Sequence, residues 1–263
     1  MNKEKIIVAL DVATAAEARS IVAELRGEVG AFKIGLQLFT AAGASFVREA
    51  VEADAKIFLD VKFHDIPNTV AEASKEAARL GVWMFNIHAL GGVEMMRRSS
   101  EAVREVCERE NLLQPKIIGV TVLTSANRET LKEIGIERDT PEQVLNLARL
   151  AAKCGLDGVV ASPLEIETIR QAIDEKDFLI VTPGIRKDAA TRQRGNAARE
   201  IEGQKTKEER QNKLETIDDQ KRVMTAKQAA AAGADYLVIG RPILQAEDRA
   251  SAVREIIRDI EAV

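Results

Sequence analysis

The chain contains 263 residues, of which 46% are hydrophobic and 30% are charged, and its formal net charge at pH 7 is −4. This composition is typical of a globular protein and excludes a wholly disordered chain. The acidic excess gives no reason to expect nucleic acid as a partner, because proteins that bind nucleic acid usually carry a basic surplus. No uninterrupted apolar run approaches the roughly 20 residues of a membrane-spanning helix, so we also expect no membrane association.

The N-terminus and the cysteines indicate a cytoplasmic location. Residues 1–5 lead directly into a strand-like run, without the pattern of a signal peptide. The two cysteines, Cys107 and Cys154, lie far apart and form no CxxC motif. We therefore expect both to be reduced, packed side chains.

Short apolar runs alternate with amphipathic segments along most of the chain. A short apolar run bounded by polar residues is typical of a strand, and apolar residues three or four positions apart indicate a helix. We predict strands at 6–11, 31–35, 56–63, 84–88, 116–123, 158–161, 179–182 and 236–240. Between and after them we predict helical segments that include 15–25, 69–80, 94–110, 141–154, 163–172 and 250–263.

The alternation of strand and helix predicts the fold class. It indicates a parallel sheet with helices packed on its outside. Eight such units favour closure into a (β/α)8 barrel, for which about 250 residues is an ordinary length. A doubly wound open sheet would show the same alternation and is the alternative. We predict one (β/α)8 barrel domain over residues 1–263.

One segment, residues 187–218, departs from this pattern. It interleaves basic and acidic residues, contains no aromatic residue, and has only Ile201, Leu214 and Ile217 as large apolar side chains. So few apolar residues cannot bury a core, so we interpret the segment as a polar loop or lone helix inserted after strand seven. Its interleaved acids argue against an arginine-rich arm for nucleic acid. We expect it to be dispensable for the fold, because loop-closure entropy grows only logarithmically with length.

The third predicted strand, KIFLDVKF, carries two charged residues on one face. Side chains alternate along a strand, so the apolar residues at odd positions from 57 to 63 share one face. Asp60 and Lys62 lie on the other. The wholly apolar face must meet the helices, so the charged pair points into the barrel. Burying such a pair is costly unless the charges are compensated or used.

The two preceding strands also place a charge on the inward face. Alternation points Asp11 inward from the first strand and Lys33 inward from the second. Each charge lies near the C-terminal end of its strand, where barrel enzymes have their active sites. Charges that converge from three adjacent strands favour a functional site. The alternative is an ion-pair network that only fills the mouth of the barrel.

The loop after strand three adds further candidates. Asp65 and Thr69 flank Pro67, which suits the first turn of a helix whose N-terminus attracts anions. Asp60 and Asp65 have the side-chain type of Mg²⁺ ligands, but the ammonium group of Lys62 between them competes for the same carboxylates. We therefore expect no metal ion at this site.

Two later segments offer cations for a phosphate group. Gly240 and Arg241 follow strand eight, where a glycine lets the backbone approach a ligand and an arginine can hold phosphate through two donors. Arg186 follows strand seven. Since the loops after strands seven and eight form the common phosphate site of (β/α)8 barrels, we predict such a site here.

Taken together, these motifs resemble the orotidine 5′-phosphate decarboxylase family. The run FLDVKFHDIPNT at 58–69 resembles the family's highly specific Asp-x-Lys-x-x-Asp-Ile-Pro signature. Other family blocks follow in the same order, at ALD (9–11), FKIG (32–35), VTVLT (120–124), TPGIR (182–186), DQKR (219–222) and VIGR (238–241). The resemblance covers the chain except residues 187–218, which lengthen a family loop that closes over the phosphate.

The resemblance implies the reaction, which is decarboxylation of orotidine 5′-phosphate to UMP without a cofactor. It implies that Lys62 protonates the pyrimidine carbon, that Asp60 lies beside the substrate carboxylate, and that Lys33 and Asp65 complete the catalytic set. The residues that it places around the ribose, the pyrimidine and the phosphate are Asp11, Lys33, Asp60, Thr69, Thr124, Arg186, Gln220, Gly240 and Arg241.

The resemblance also implies a homodimer in which Asp65 and Thr69 enter the partner subunit's site. Two alternatives to this function stay open. The first is a Mg²⁺-dependent sugar-phosphate decarboxylase or aldolase of the same barrel superfamily, against which the IPNT sequence at 66–69 and the Asp-Gln pair at 219–220 argue. The second is an idle barrel that displays residues 187–218 as a binding element, against which the complete set of lysines and aspartates argues.

Overall fold

The structure is a computed structural model that describes residues 2–186 and 223–262. The predicted insertion at 187–218 and the predicted phosphate contact Gln220 lie outside these residues, so both stay predictions. Within the described ranges, no helix is both long and apolar enough to cross a membrane.

Eight parallel strands close into a barrel, in which each strand pairs with its neighbours in chain order and the last strand pairs with the first. This confirms the predicted (β/α)8 fold and excludes the open sheet. The barrel strands are β1 (Ile6–Ala9), β2 (Ala31–Gly35), β3 (Ile57–Phe63), β4 (Met84–His88), β5 (Lys116–Val120), β6 (Gly158–Val160), β7 (Leu179–Thr182) and β10 (Tyr236–Ile239). A separate short parallel pair consists of β8 (Ile185–Arg186) and β9 (Met224–Thr225).

The described helices lie between the strands and after the last one. They are α1 (Ala15–Leu25), α2 (Leu36–Glu52), α3 (Pro67–Arg79), α4 (Gly92–Glu110), α5 (Arg128–Glu133), α6 (Thr140–Lys153), α7 (Ile166–Ala172), α8 (Ala226–Ala231), α9 (Arg241–Leu244) and α10 (Arg249–Glu261). Short 3₁₀ helices cover Asn2–Lys5, Ala89–Gly91 and Pro163–Glu165.

Local sequence explains where several helices begin. At α8 the Thr225 hydroxyl accepts from the backbone N–H of Gln228, whose side chain accepts from the backbone N–H of Thr225. Helix α3 begins at Pro67, where the missing N–H costs nothing, as the sequence predicted. Other side chains that accept a backbone N–H at a helix start are Thr14, Asn127, Asp139 and Asp248.

The apolar core has two parts that follow the alternation along the strands. Outward side chains, such as Val8, Ile34 and Leu59, pack against the helices. Inward side chains form a smaller cluster inside the barrel, made of Ile7, Ala9, Ala31, Phe58, Met84, Ile118, Val181 and Val238. Because this cluster is apolar, the polar inward side chains are left at the C-terminal ends of the strands.

Candidate active site

Four charged side chains from three adjacent strand segments meet at the C-terminal mouth of the barrel. Lys33 Nζ lies 3.0 Å from Asp11 Oδ1 and 3.4 Å from Asp60 Oδ2. Lys62 Nζ lies 2.7 Å from Asp60 Oδ1. Asp60 therefore bridges the two ammonium groups, and the structure brings together the four residues that alternation pointed inward.

The centre of this network is buried and its edge is open to solvent. The side chains of Lys33 and Asp60 are 10% and 15% exposed, whereas those of Lys62 and Asp11 are 30% and 58% exposed. Burial alone would lower the pKa of Lys33, but the carboxylates of Asp60 and Asp11 outweigh it and raise that pKa. Burial alone would raise the pKa of Asp60, but the two ammonium groups and their hydrogen bonds lower it. Both groups are therefore charged at neutral pH.

Asn86, on β4, is a member of the site that sequence reasoning missed. It is fully buried, its Nδ2 donates to Asp60 Oδ1 at 2.7 Å, and its Oδ1 accepts from the backbone N–H of Lys62 at 2.8 Å. The only signal in the sequence is a polar residue at an inward position of a strand. Such a residue is usually a hydrogen-bonded interior side chain, so the signal alone does not indicate a function.

Lys62 has an unusual backbone conformation for a strand residue. Its φ is 53°, in the left-handed region that residues other than glycine rarely adopt. The pairing of β3 with β4 is irregular at the same point, because its register shifts between Leu59 and Phe63. A bulge of this kind redirects a side chain and is over-represented beside active sites.

Two glycines leave room for the charged network. A Cβ atom on Gly35 would lie 2.8 Å from Lys33 Nζ, and one on Gly240 would lie 3.3 Å from Asp11 Oδ2. The sequence predicted that Gly240 lets the backbone of the protein approach a ligand closely. The structure shows that its missing side chain also makes space for Asp11.

The remaining predicted site residues lie around the mouth and not in the network. Asp65 is exposed, and its Oδ1 accepts from the backbone N–H of Ile66 at 2.6 Å. Within the described part of the chain, no ion pair joins Asp65 to either lysine of the network. Thr69 is exposed on the first turn of α3, and Thr124 is half-buried after β5.

Arg186 and Arg241 lie on neighbouring segments at the same end of the barrel. Arg186 ends β8, which packs beside β10, and Arg241 begins α9 directly after β10. Both side chains are partly buried. This places two guanidinium groups on the segments where a (β/α)8 barrel commonly holds phosphate.

A stacked histidine pair borders the network. The rings of His64 and His88 lie 5.2 Å apart between centroids, and Nδ1 of His88 accepts from the backbone N–H of Leu90. Burial, then the neighbouring His64 and Lys62, lowers the pKa of His88 to about 4. His88 is therefore neutral at physiological pH and adds no charge beside Lys62.

Comparison with known proteins identifies the family. The sequence profile of the "Orotidine 5'-phosphate decarboxylase / HUMPS family" matches residues 4–256. The chain belongs to this family. This confirms the resemblance that the motifs of the third strand indicated.

Individual members of the family are similar over nearly the whole chain. Proteins named orotidine 5′-phosphate decarboxylase from Syntrophotalea carbinolica and Geobacter sulfurreducens are 47% and 48% identical to it over 260 residues. These alignments cover 99% of this chain and 96% and 97% of the two relatives. The crystal structure of the orotidine 5′-phosphate decarboxylase of Lactobacillus acidophilus matches with a TM-score of 0.76 at 32% identity, covering 97% of this chain and 98% of the other.

Proposed function

We propose that the chain decarboxylates orotidine 5′-phosphate to UMP, and that it needs neither a metal ion nor a cofactor. The observation that carries the proposal is the buried Asp60 carboxylate held between the ammonium groups of Lys33 and Lys62. It stands at the mouth of a family barrel whose relatives at 47–48% identity are named for this activity. With this function we also propose the cytoplasmic location that the sequence predicts.

The chemistry follows from the charges of the network. When the bond between the pyrimidine ring and its carboxylate breaks, CO2 leaves and the electron pair stays on the ring carbon. The ammonium group of Lys62 is fixed beside Asp60, so it stabilises that carbanion as it forms and then transfers a proton to the carbon. Because Lys62 is 30% exposed, it can regain its proton from water after the product leaves.

Asp60 and Lys33 hold the proton donor in place. Both oxygens of Asp60 face cations, with Lys62 at 2.7 Å and Lys33 at 3.4 Å. Because Asp60 is held from two directions, it keeps the ammonium group of Lys62 in one orientation. Less reorganisation is then needed in the transition state. We assign Asp60 to the position beside the substrate carboxylate, and Lys33 with Asp11 to the ribose.

The substrate phosphate belongs at the segments after β7 and β10. We assign Arg186, Gly240 and Arg241 to it, and Gln220 from the part of the chain outside the described residues. We assign Thr124 to the pyrimidine ring. Binding energy from a phosphate far from the breaking bond can be used to hold the ring carbon against Lys62.

We further propose a homodimer in which Asp65 and Thr69 act in the partner's site. Asp65 is exposed and makes no ion pair with its own chain's network among the described residues. The next residue, Ile66, is an apolar side chain that is 67% exposed, and other exposed large apolar side chains follow strands at this end of the barrel. Exposed apolar side chains beside a polar rim are typical of an interface. The exposed large apolar side chains that follow β2, β4 and β5 are Leu36, Leu90, Val93 and Leu123.

Neither alternative function gains support from the structure. A Mg²⁺ site would need free carboxylate oxygens, but Asp60 Oδ1 already accepts from Lys62 and Asn86, and Oδ2 faces Lys33. An idle scaffold has no need to keep this network intact.

An absorbance assay with orotidine 5′-phosphate tests the proposed function, and Lys62→Ala is the decisive variant. We expect it to lower kcat by at least about 1,000-fold, because it removes the proton donor and the cation together. The fold should persist, since Asp60 keeps its contact with Lys33. Lys56→Ala is the matched control, because Lys56 is an exposed lysine before the same strand, paired with Glu4.

The Lys56→Ala control should keep full activity, and EDTA should not reduce the activity of the wild-type chain. A decrease in kcat of only a few-fold in Lys62→Ala would contradict the assignment of Lys62 as proton donor. Activity that disappears with EDTA and returns with Mg²⁺ would instead favour the metal-dependent alternative.

A further inference from the structure

We propose that Asn86 is a positioning residue for the proton transfer, through simultaneous hydrogen bonds to the backbone of Lys62 and to the carboxylate of Asp60. The inference rests on the proposed function, which supplies the reaction to be measured. Asn86 is 0% exposed, so it reaches the network from inside the barrel and cannot touch a substrate that enters from the mouth. Its effect must therefore pass through the two residues that it holds.

The first contact of Asn86 stabilises the bulge of β3. Leu59 pairs with Phe85 and Phe63 pairs with Ile87, so the three residues 60–62 of β3 face the single residue 86 of β4. A backbone N–H in such a bulge loses its regular partner on the neighbouring strand. The Oδ1 atom of Asn86 replaces that partner for the N–H of Lys62 at 2.8 Å, where φ is 53°.

A residue other than glycine keeps a left-handed backbone conformation only where the surrounding structure holds it there. In Lys62 this conformation directs the side chain back to Asp60, two residues earlier, at 2.7 Å. An extended backbone without the bulge would aim the same lysine differently. The hydrogen bond from Asn86 therefore helps to determine where the ammonium group lies.

The second contact of Asn86 fixes the carboxylate that holds Lys62. Nδ2 donates to the same Oδ1 atom of Asp60 that accepts from Lys62 Nζ, and both distances are 2.7 Å. This leaves Oδ2 for Lys33. The amide has only one satisfactory orientation, because reversing it would turn its oxygen to the carboxylate and its NH₂ group to a backbone N–H.

Asn86→Asp is the variant that separates positioning from simple structural support. It keeps the size and shape of the side chain, and a protonated carboxyl group can still accept from Lys62 N–H and donate to Asp60. Once ionised, the introduced carboxyl group has no O–H to donate to Asp60, and it places a second negative charge against Asp60. Burial and the carboxylate of Asp60 raise the pKa of the introduced carboxyl. The ammonium groups of Lys62 and Lys33 act in the opposite direction, but both are already paired with Asp60.

We therefore expect a new pH dependence in Asn86→Asp. Below the raised pKa the protonated variant keeps both hydrogen bonds and retains most of the wild-type kcat. As the pH rises through that pKa, the ratio of variant to wild-type kcat should fall by about 10- to 100-fold, the effect expected when a reacting group is displaced by about 1 Å. KM should change by less than about threefold at every pH, because Asn86 does not contact the substrate.

Asn86→Ala removes both hydrogen bonds at every pH, so its kcat should be low with no such pH dependence. The matched control is Ser99→Ala, which deletes another fully buried hydrogen bond, to the carbonyl of Met95 on the outer helix α4. It should lose stability without loss of kcat. A crystal structure of Asn86→Ala should show Lys62 outside the left-handed region.

Several results would overturn the inference. They are a constant kcat ratio for Asn86→Asp across pH, an effect mainly on KM, or unchanged positions of Lys62 and Asp60 in Asn86→Ala. These are distinguishable from failure of the proposed function, because in that case the wild-type chain itself would not turn over orotidine 5′-phosphate. If Asn86→Ala does not fold, the pH profile of the isosteric Asn86→Asp still decides the matter.

Discussion

Gly35 shows how one missing methyl group shapes the charged network. Its φ of −93° is accessible to any residue, so alanine would fit the backbone at this position. The added Cβ, however, would lie 2.8 Å from Lys33 Nζ, and the ammonium group would have to move. We predict that Gly35→Ala lowers kcat/KM at least about tenfold, because displaced reacting or binding groups lose their alignment. Steady-state kinetics together with a melting curve that stays within a few degrees of wild type would support this.

A double-mutant cycle with Lys33→Ala provides the control. If Gly35→Ala acts by displacing Lys33, it should cost little further activity in a chain that already lacks that lysine. Equal losses in the two backgrounds would show that the glycine acts through something other than Lys33.

The sequence predicted the charged residues of the site but not their fine geometry. The alternation of side chains along a strand was enough to predict an inward position for Asp11, Lys33, Asp60 and Lys62. Each of their strands has one wholly apolar face, which must meet the helices. The same pattern carries no sign of the bulge at Lys62, since the outward apolar positions continue through it. The role of Asn86 depends on that bulge, so it was visible only in three dimensions.

At the level of elements, the predicted strands are largely correct and their ends are the weak point. Residues beyond the last paired position, such as Asp11 after β1 and Gly240 after β10, continue the inward pattern but belong to loops that carry the site. A helical stretch was expected after every strand, but helix α2 was not predicted with its own bounds. Gly43, with a φ of 69°, interrupts its helical conformation and divides its apolar pattern. The pair β8–β9 is too short to leave a periodic signal.

Arg170 ties helix α7 to the N-terminal ends of two barrel strands. Its guanidinium donates to the carbonyls of Phe178 and Gly233 and forms an ion pair with Asp235. Asp235 also accepts from the backbone N–H of Ile180 at 2.7 Å, so one carboxylate joins β7, β10 and α7. These contacts lie at the opposite end of the barrel from the charged network.

We predict that Arg170→Met lowers the free energy of unfolding by about 2 kcal/mol, because it leaves two carbonyls and a partly buried carboxylate without their charged donor. Its kcat should equal that of wild type. Urea unfolding at a fixed protein concentration gives the first quantity and the decarboxylation assay the second. Arg97→Met, which removes an exposed arginine paired with glutamates on α4, is the control and should change stability less. A drop in kcat of Arg170→Met would mean that the two ends of the barrel are coupled.

At the scale of the whole molecule, the barrel separates stability from chemistry. The inner apolar cluster and the Arg170 contacts hold the strands together away from the mouth, and the charges gather at the C-terminal ends. The sequence predicted this division because alternation and chain order determine it. It could not establish the assembly, since no periodic pattern within one chain encodes which surface meets a second copy.

Subunit mixing tests whether two chains share their sites. Lys62→Ala and Asp65→Ala should each be inactive alone if Asp65 acts in the partner's site. In a hybrid dimer, the Asp65→Ala subunit keeps its own Lys62 and receives Asp65 from the other chain, so one of the two sites is complete. After random exchange, half of the dimers are hybrids, and we predict recovery of about a quarter of the wild-type activity for a twofold dimer.

The control mixture replaces the Asp65→Ala chain with the double variant Lys62→Ala/Asp65→Ala. No pairing in that mixture contains a site with both wild-type residues, so its activity should stay at the background level. Exchange can be verified with differently tagged subunits. If exchange is complete and the first mixture recovers no more activity than the control, then Asp65 acts within its own chain. The exposed position of Asp65, away from the network, would then require a movement of the loop after β3 that brings the carboxylate to Lys62.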